Sequence, residues 1–288
     1  HQGQGASFRL HFLHSGTTPP EALAPLVEMI EASGNFFADV RIPEALAKRL
    51  KPHPVFGTHA WMRMLLPEML PKLQRVLYLD SDVVVCEALD ALWATELGEH
   101  WIAAVVNPLY PHQSLKRLAP LGISRPLDYF NSGVLLMNLQ QLRAHAVSEA
   151  LLRYAEAAHA DLLYPDQDVL NAVLKGRWLA LHPRYNAQSP FYDLRPGDLP
   201  FTRAIVQETC KHPAIVHYSG LFKPWMDASG HPLRRLYWKH LEQTPWRGAK
   251  LENPYWRNKI LRHFPYRLYY WYWQHFPQPQ ARRTLTPH

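Results

Sequence analysis

Phe8 to His14 is patterned as a strand, and Pro20 to Ala32, which follows, carries apolar residues at helical spacing. A β-rich run near Phe36 to Val40 comes next. Beyond a Pro-containing loop, Thr58 to Met69 reads as a helix, and Arg75 to Leu79 (RVLYL) as a short buried strand leading directly into Asp80. Trp101 to Val106 and Val134 to Asn138 predict further strands, each followed by a helix. Strands alternating with helices predict an α/β sandwich with a mixed sheet. No internal repeat interrupts the pattern.

Composition narrows the picture only in places. A chain of 288 residues can bury one sizeable core with an appendage, and 47% hydrophobic against 19% charged residues excludes a mainly disordered protein. No stretch reaches the roughly 18 to 20 apolar residues needed to span a bilayer. Cys86 and Cys210 are too few for a disulfide framework and read as reduced, partly buried thiols of a cytoplasmic protein. Charge is more telling. Of a formal net charge of +7, Arg257, Lys259, Arg262, Arg267, Arg282 and Arg283 supply all but one, and no acidic residue follows Asn253. A basic end of this kind suits an anionic surface, phospholipid or nucleic acid.

Four segments carry candidate chemistry. In YLDSDVVV, Asp80 and Asp82 sit between two apolar runs, at the end of a strand, where α/β sheets gather ligands. They suit a hard divalent cation; the alternative is a turn whose aspartates cap backbone amides. In IVHYSGLFKPW, His217 is followed by Gly220, which permits close backbone approach, and by Lys223, an arrangement suited to a diphosphate. An imidazole joining two carboxylates favours Mn²⁺ over Mg²⁺ or Ca²⁺. In DYFNSGVLLMNL and PDQDVLN, the polar residues Asn131, Ser132, Asp166, Gln167, Asp168 and Asn171 are placed to read sugar hydroxyls, with helix capping as the alternative for Asp166 and Asp168.

Taken in order, these four motifs resemble glycosyltransferase family 8, over a stretch from about Phe8 to Trp246. The resemblance implies a GT-A type nucleotide-sugar-binding fold, a UDP-hexose donor carrying galactose or glucose, Mn²⁺ with Mg²⁺ as a second choice, and retention of anomeric configuration. It implies Asp80, Asp82 and His217 as metal ligands, and Gly220 and Lys223 at the donor diphosphate. Arg63 matches an arginine facing the donor, Asn131, Ser132 and Asp166 match residues around the transferred sugar, and Gln167 lies where the family's debated catalytic side chain sits. It further implies a lipid-linked saccharide acceptor of the lipopolysaccharide or lipooligosaccharide core, and a cytoplasmic protein peripheral on the inner face of the plasma membrane.

Two departures accompany the match. The family's first strand and helix have no counterpart before His1, so a chain incomplete at its N-terminus is expected, with residues 1–246 as catalytic domain and 247–288 as tail. Asn107 stands where close relatives place an aspartate near the acceptor. Within the tail, Tyr255 to Phe276 interleaves Arg and Lys with Trp, Tyr and Phe, which predicts contact with an anionic membrane surface. The alternative is a helix packed on the catalytic domain. No nucleic-acid motif accompanies these rings, and nucleic acid is not expected as a partner. Two competing functions are a phosphohydrolase of the haloacid dehalogenase type, whose DxD the segment matches locally, and an inert sugar-nucleotide-binding protein at the membrane.

Overall fold

The computed structural model describes residues 7–16, 18–50, 59–110, 115–158, 162–220 and 222–252, together with Leu268, Tyr272 and His275. Among them the strands are β1 (Arg9–His14), β2 (Phe36–Arg41), β3 (Arg75–Leu79), β4 (Val83–Val85), β5 (Ile102–Val106), β6 (Phe130–Asn138), β7 (Trp178–Ala180), β8 (Ala187–Gln188) and β9 (Ile215–His217). The helices are α1 (Pro20–Ala32), α2 (Glu44–Ala47), α3 (His59–Met62), α4 (Leu66–Met69), α5 (Asp90–Trp93), α6 (Leu115–Leu118), α7 (Leu139–Ala144), α8 (Val147–Ala158), α9 (Pro165–Val173), α10 (Pro190–Asp193), α11 (Arg203–Lys211) and α12 (Arg234–Leu241). They fall into two compact units with interleaved chain segments.

The first unit takes its described residues from His1–Leu79, Ala88–Asn107 and Gln113–His182. Its main sheet has the order β3-β6-β5-β7, with β6 antiparallel to both neighbours and β7 parallel to β5. A separate parallel pair joins β1 and β2. All of β5 and β6 from Phe130 to Met137 are buried, so these strands read as continuous apolar runs rather than alternating ones. Met64, Leu65, Phe130, Leu135, Val169 and Leu170 form the heart of the core. Each such side chain, fully buried, stabilises the fold by about 1.5–3 kcal/mol.

Two elements differ from the sequence pattern. The helix expected over 58–69 is broken: a 3₁₀ turn, Arg63–Leu65, separates α3 from α4, and Thr58 lies outside the described residues. The cause is Pro67, which has no N–H to offer the Arg63 carbonyl four residues earlier; Leu66 N–H bonds it instead, tightening the turn. The strand expected from Val134 begins four residues sooner, at Phe130. Pairing of Phe130 with Val106, across an irregularity in β5 between Ala104 and Val106, draws the polar Asn131 and Ser132 into the sheet. Tertiary pairing thus overrides weak local preference.

The second unit takes its described residues from Asp80–Glu87, Pro108–His112 and Pro183–His288. Its sheet has the order β4-β9-β8, β9 running antiparallel to β4 and parallel to β8. Val84, Val216 and Tyr218 pack with Leu233, Leu236 and Tyr237, and a second cluster gathers Phe191, Leu199 and Val206. Arg234 and Trp238 of α12 both donate to the Pro224 carbonyl at 3.0 Å. Cys86 and Cys210 are free, half-buried thiols whose pKa burial pushes up. The basic aromatic run of the tail lies outside the described residues, apart from Leu268, Tyr272 and His275. Glu252, just before it, is held by backbone bonds to Trp225 and Asp227.

Candidate functional site

In the second unit, the turn between β3 and β4 carries Asp80 and Asp82, and the last residue of β9 is His217. Val83 pairs with His217 across the β4–β9 ladder, and the Tyr218 N–H bonds the Asp82 carbonyl at 3.0 Å. Sheet register therefore delivers the imidazole to the turn. One ligand atom from each of Asp80, Asp82 and His217 lies within 4.8 Å of the others. His217 Nε2 is 3.3 Å from Asp82 Oδ1 and 3.8 Å from Asp80 Oδ2. The ring is buried, while Asp80 and Asp82 keep part of their surface.

Lys223 donates to Asp82 Oδ2, and at 3.1 Å to the Tyr218 carbonyl. Burial drives the Asp82 carboxyl pKa up, but the adjacent His217 imidazole and Lys223 ammonium outweigh it and hold the group well below the usual carboxylate range. Asp82 meets these side chains rather than turn amides, so its expected alternative as a capping aspartate does not describe it. Gly220 has φ of +110°, a conformation side-chain-bearing residues rarely adopt. On its other edge His217 bonds through Nδ1 to Asn186 Oδ1 at 2.9 Å.

The first unit holds a separate polar cluster. Arg63, placed by the 3₁₀ turn, donates through Nη1 to the Ser132 carbonyl at 2.8 Å and lies 4.7 Å above the Tyr78 ring. Its Nε is 3.2 Å from Asp166 Oδ2, which also accepts from Ser132 Oγ at 2.8 Å. Gln167 Oε1 accepts from Asn131 Nδ2 at 3.1 Å and from the Ser132 N–H at 3.2 Å. The Asn131 amide is oriented in turn by the Gly133 N–H, which donates to its Oδ1 at 3.0 Å, and Asn131 Nδ2 also reaches Asn107 Oδ1 at 3.2 Å. Arg63, Asn131, Ser132, Asp166 and Gln167 meet here.

Two neighbours of this cluster serve the framework. Asn171 donates to the Phe130 and Gln167 carbonyls and accepts from the Phe130 N–H, each at 2.8 Å, fastening α9 to the start of β6. Asp168 accepts from Tyr129 at 2.6 Å, from Arg117 at 3.0 Å, and from the Leu163 and Tyr164 amides at 3.1 Å. Burial, with Asp168 beside it, raises the Tyr129 phenol well above its ordinary pKa. Of its two expected roles, capping the approach to α9 describes Asp168 better than contact with a sugar. Sequence reasoning missed Arg117, Tyr129 and Asn186: Arg117 and Asn186 belong to no motif, Tyr129 stands in DYFNSGVLLMNL but reads there as core, and their partners lie 31 to 51 residues away.

A family model described as glycosyl transferase family 8 matches residues 21–229. General stress protein A of Bacillus subtilis (strain 168) is 32% identical over 206 residues, 67% of this chain and 70% of that protein. Lipopolysaccharide glucosyltransferase WaaO of Escherichia coli (strain K12) is 31% identical over 205 residues, 68% of this chain; the match spans 58% of WaaO's length. Among solved structures, the galactosyltransferase LgtC in complex with donor and acceptor sugar analogs superposes with a TM-score of 0.69 at 26% identity, covering 83% of this chain and 88% of LgtC.

Proposed function

Because this chain belongs to glycosyl transferase family 8 and has a GT-A type α/β fold, we propose that it transfers a hexose, galactose or glucose, from a UDP-sugar to a saccharide acceptor with retention of configuration. The observation that carries this proposal is the convergence of Asp80, Asp82 and His217, whose ligand atoms lie within 4.8 Å of one another. Two carboxylates and an imidazole fit Mn²⁺, while Mg²⁺ prefers an all-oxygen shell and is the lesser fit. Such a cation supplies positive charge to a leaving diphosphate.

Lys223 is the second source of that charge, and Gly220 lets the backbone come near the phosphates. The hexose is assigned to Arg63, Asp166, Asn131, Ser132 and Gln167, whose mutual bonds fix their polar atoms before any sugar arrives. In the transfer, the bond from the anomeric carbon to the diphosphate oxygen breaks and a bond to the acceptor hydroxyl oxygen forms on the same face. The hydroxyl proton leaves with the diphosphate. Support for this front-face route comes from Gln167: its Oε1 already accepts two hydrogen bonds, which weakens an amide oxygen that is a poor nucleophile to begin with.

The acceptor is assigned to the lipid-linked lipopolysaccharide or lipooligosaccharide core, with the protein cytoplasmic and held at the inner membrane face by its basic aromatic tail. No helix of the described residues is long and apolar enough to cross a membrane, and the charge of the tail suits attraction to anionic lipid. The test is hydrolysis and transfer from UDP-galactose and UDP-glucose with and without Mn²⁺. Metal-dependent turnover of one of them is expected; metal-independent phosphatase activity without sugar transfer would return the phosphohydrolase reading, and absence of UDP binding in Mn²⁺ the inert one.

A further inference from the structure

His217 can bind a cation through Nε2 only while that nitrogen carries its lone pair, which requires the ring proton to sit on Nδ1. The nature of the group opposite Nδ1 therefore decides whether the ligand is ready. That group is the Asn186 carboxamide, its Oδ1 2.9 Å from His217 Nδ1. Both residues are buried, Asn186 fully and His217 to all but 3%.

The backbone on either side of Asn186 is fastened to the strand that carries the histidine. Just before it, the Arg184 carbonyl accepts from the Ala214 N–H at 2.8 Å. Just after it, Ala187 and Gln188 of β8 pair in parallel with Val216 and His217 of β9. Asn186 and His217 therefore move as one rigid piece. We infer that Asn186 is a positioning residue of the cation site: it accepts the His217 Nδ1 proton, fixing the tautomer and the ring plane so that Nε2 faces Asp80 and Asp82. The inference rests on the proposed metal-dependent reaction, but it concerns binding and not turnover.

Partners of metal-bound histidines are worth about 10- to 100-fold in metal affinity. The test is Mn²⁺ titration of the full chain, followed by the electron paramagnetic resonance of free Mn²⁺. Asn186→Ala is expected to weaken binding by about 10- to 100-fold, whereas Asn186→Asp, which keeps an acceptor at Oδ1, retains affinity near that of the wild type. Rescue by aspartate separates positioning from bulk stability, since a purely structural asparagine has no reason to tolerate a buried carboxylate better than alanine. If Asn186→Ala does not fold, Asn186→Leu, of similar volume and without an acceptor, carries the same comparison. Unchanged Mn²⁺ affinity in the folded alanine or leucine variant, or an aspartate variant as weak as either, overturns the inference while leaving the metal site standing. A wild-type chain that binds no Mn²⁺ overturns the metal reading itself, and this inference with it.

Discussion

Asp82 receives the Lys223 ammonium and faces the His217 ring, so one carboxylate serves two positive partners. Replacing Asp82 by Asn should abolish Mn²⁺ binding and lower kcat by orders of magnitude, checked by metal titration and by transfer rate. On the proposed reaction Lys223 is a fixed charge beside the leaving diphosphate, so Lys223→Ala should cost about 10²–10³ in kcat, a loss typical of one preorganised donor. Gln167→Ala should leave measurable activity, with no sugar attached to any side chain in the mass spectrum of the quenched enzyme; a trapped glycosyl adduct contradicts the front-face route. Asp80, Asp82, His217 and Lys223 could be singled out in the sequence because each stands in a short motif, and the fold brings the four together. Asn186 was not, since its meaning comes from a strand pairing between segments 31 residues apart.

At the scale of elements, the helix α9 is held by three buried side chains: Gln167 and Asn171 bond the start of β6, and Asp168 bonds Tyr129 just before it. Asp168 is 2% exposed and its charge is matched by Arg117. Arg117→Ala strands that charge in the interior and should destabilise the fold by about 3–5 kcal/mol, measured by urea unfolding. A second stability effect belongs to His231, packed between the Tyr192 and Tyr218 rings at 4.8 Å from each, where burial pulls its pKa down to about 3. The folded state holds His231 neutral while the unfolded chain protonates it near the ordinary imidazole value of 6.5. Stability from this group is therefore complete above about pH 6.5 and falls as the pH drops from there toward about 3. Replacing His231 by Phe should flatten that part of the stability profile. Strands β1, β2, β3, β5 and the later part of β6, with α1, were legible from the sequence pattern; the short β7 and β8, the 3₁₀ break at Arg63 and the early start of β6 were not, because they depend on distant partner strands or, at Arg63, on one missing N–H.

For the whole molecule, the GT-A type α/β fold could be anticipated from strand and helix alternation together with the order of four motifs. The division into interleaved units could not, because contacts between distant segments define it. The tail carries a prediction of its own at this scale: the intact chain should bind vesicles containing anionic phosphatidylserine at low salt and release them as salt rises, read by co-sedimentation. Retention of binding in high salt, or none in low salt, would contradict an electrostatic membrane contact.

The most direct test of the central claim is a crystal of the chain grown with a non-transferable UDP-hexose analogue and Mn²⁺, with anomalous scattering recorded at the manganese edge. One anomalous peak coordinated by Asp80, Asp82 and His217, in contact with the diphosphate, is the expected result. A peak elsewhere, or a bound analogue whose phosphates lie away from these three side chains, would contradict it.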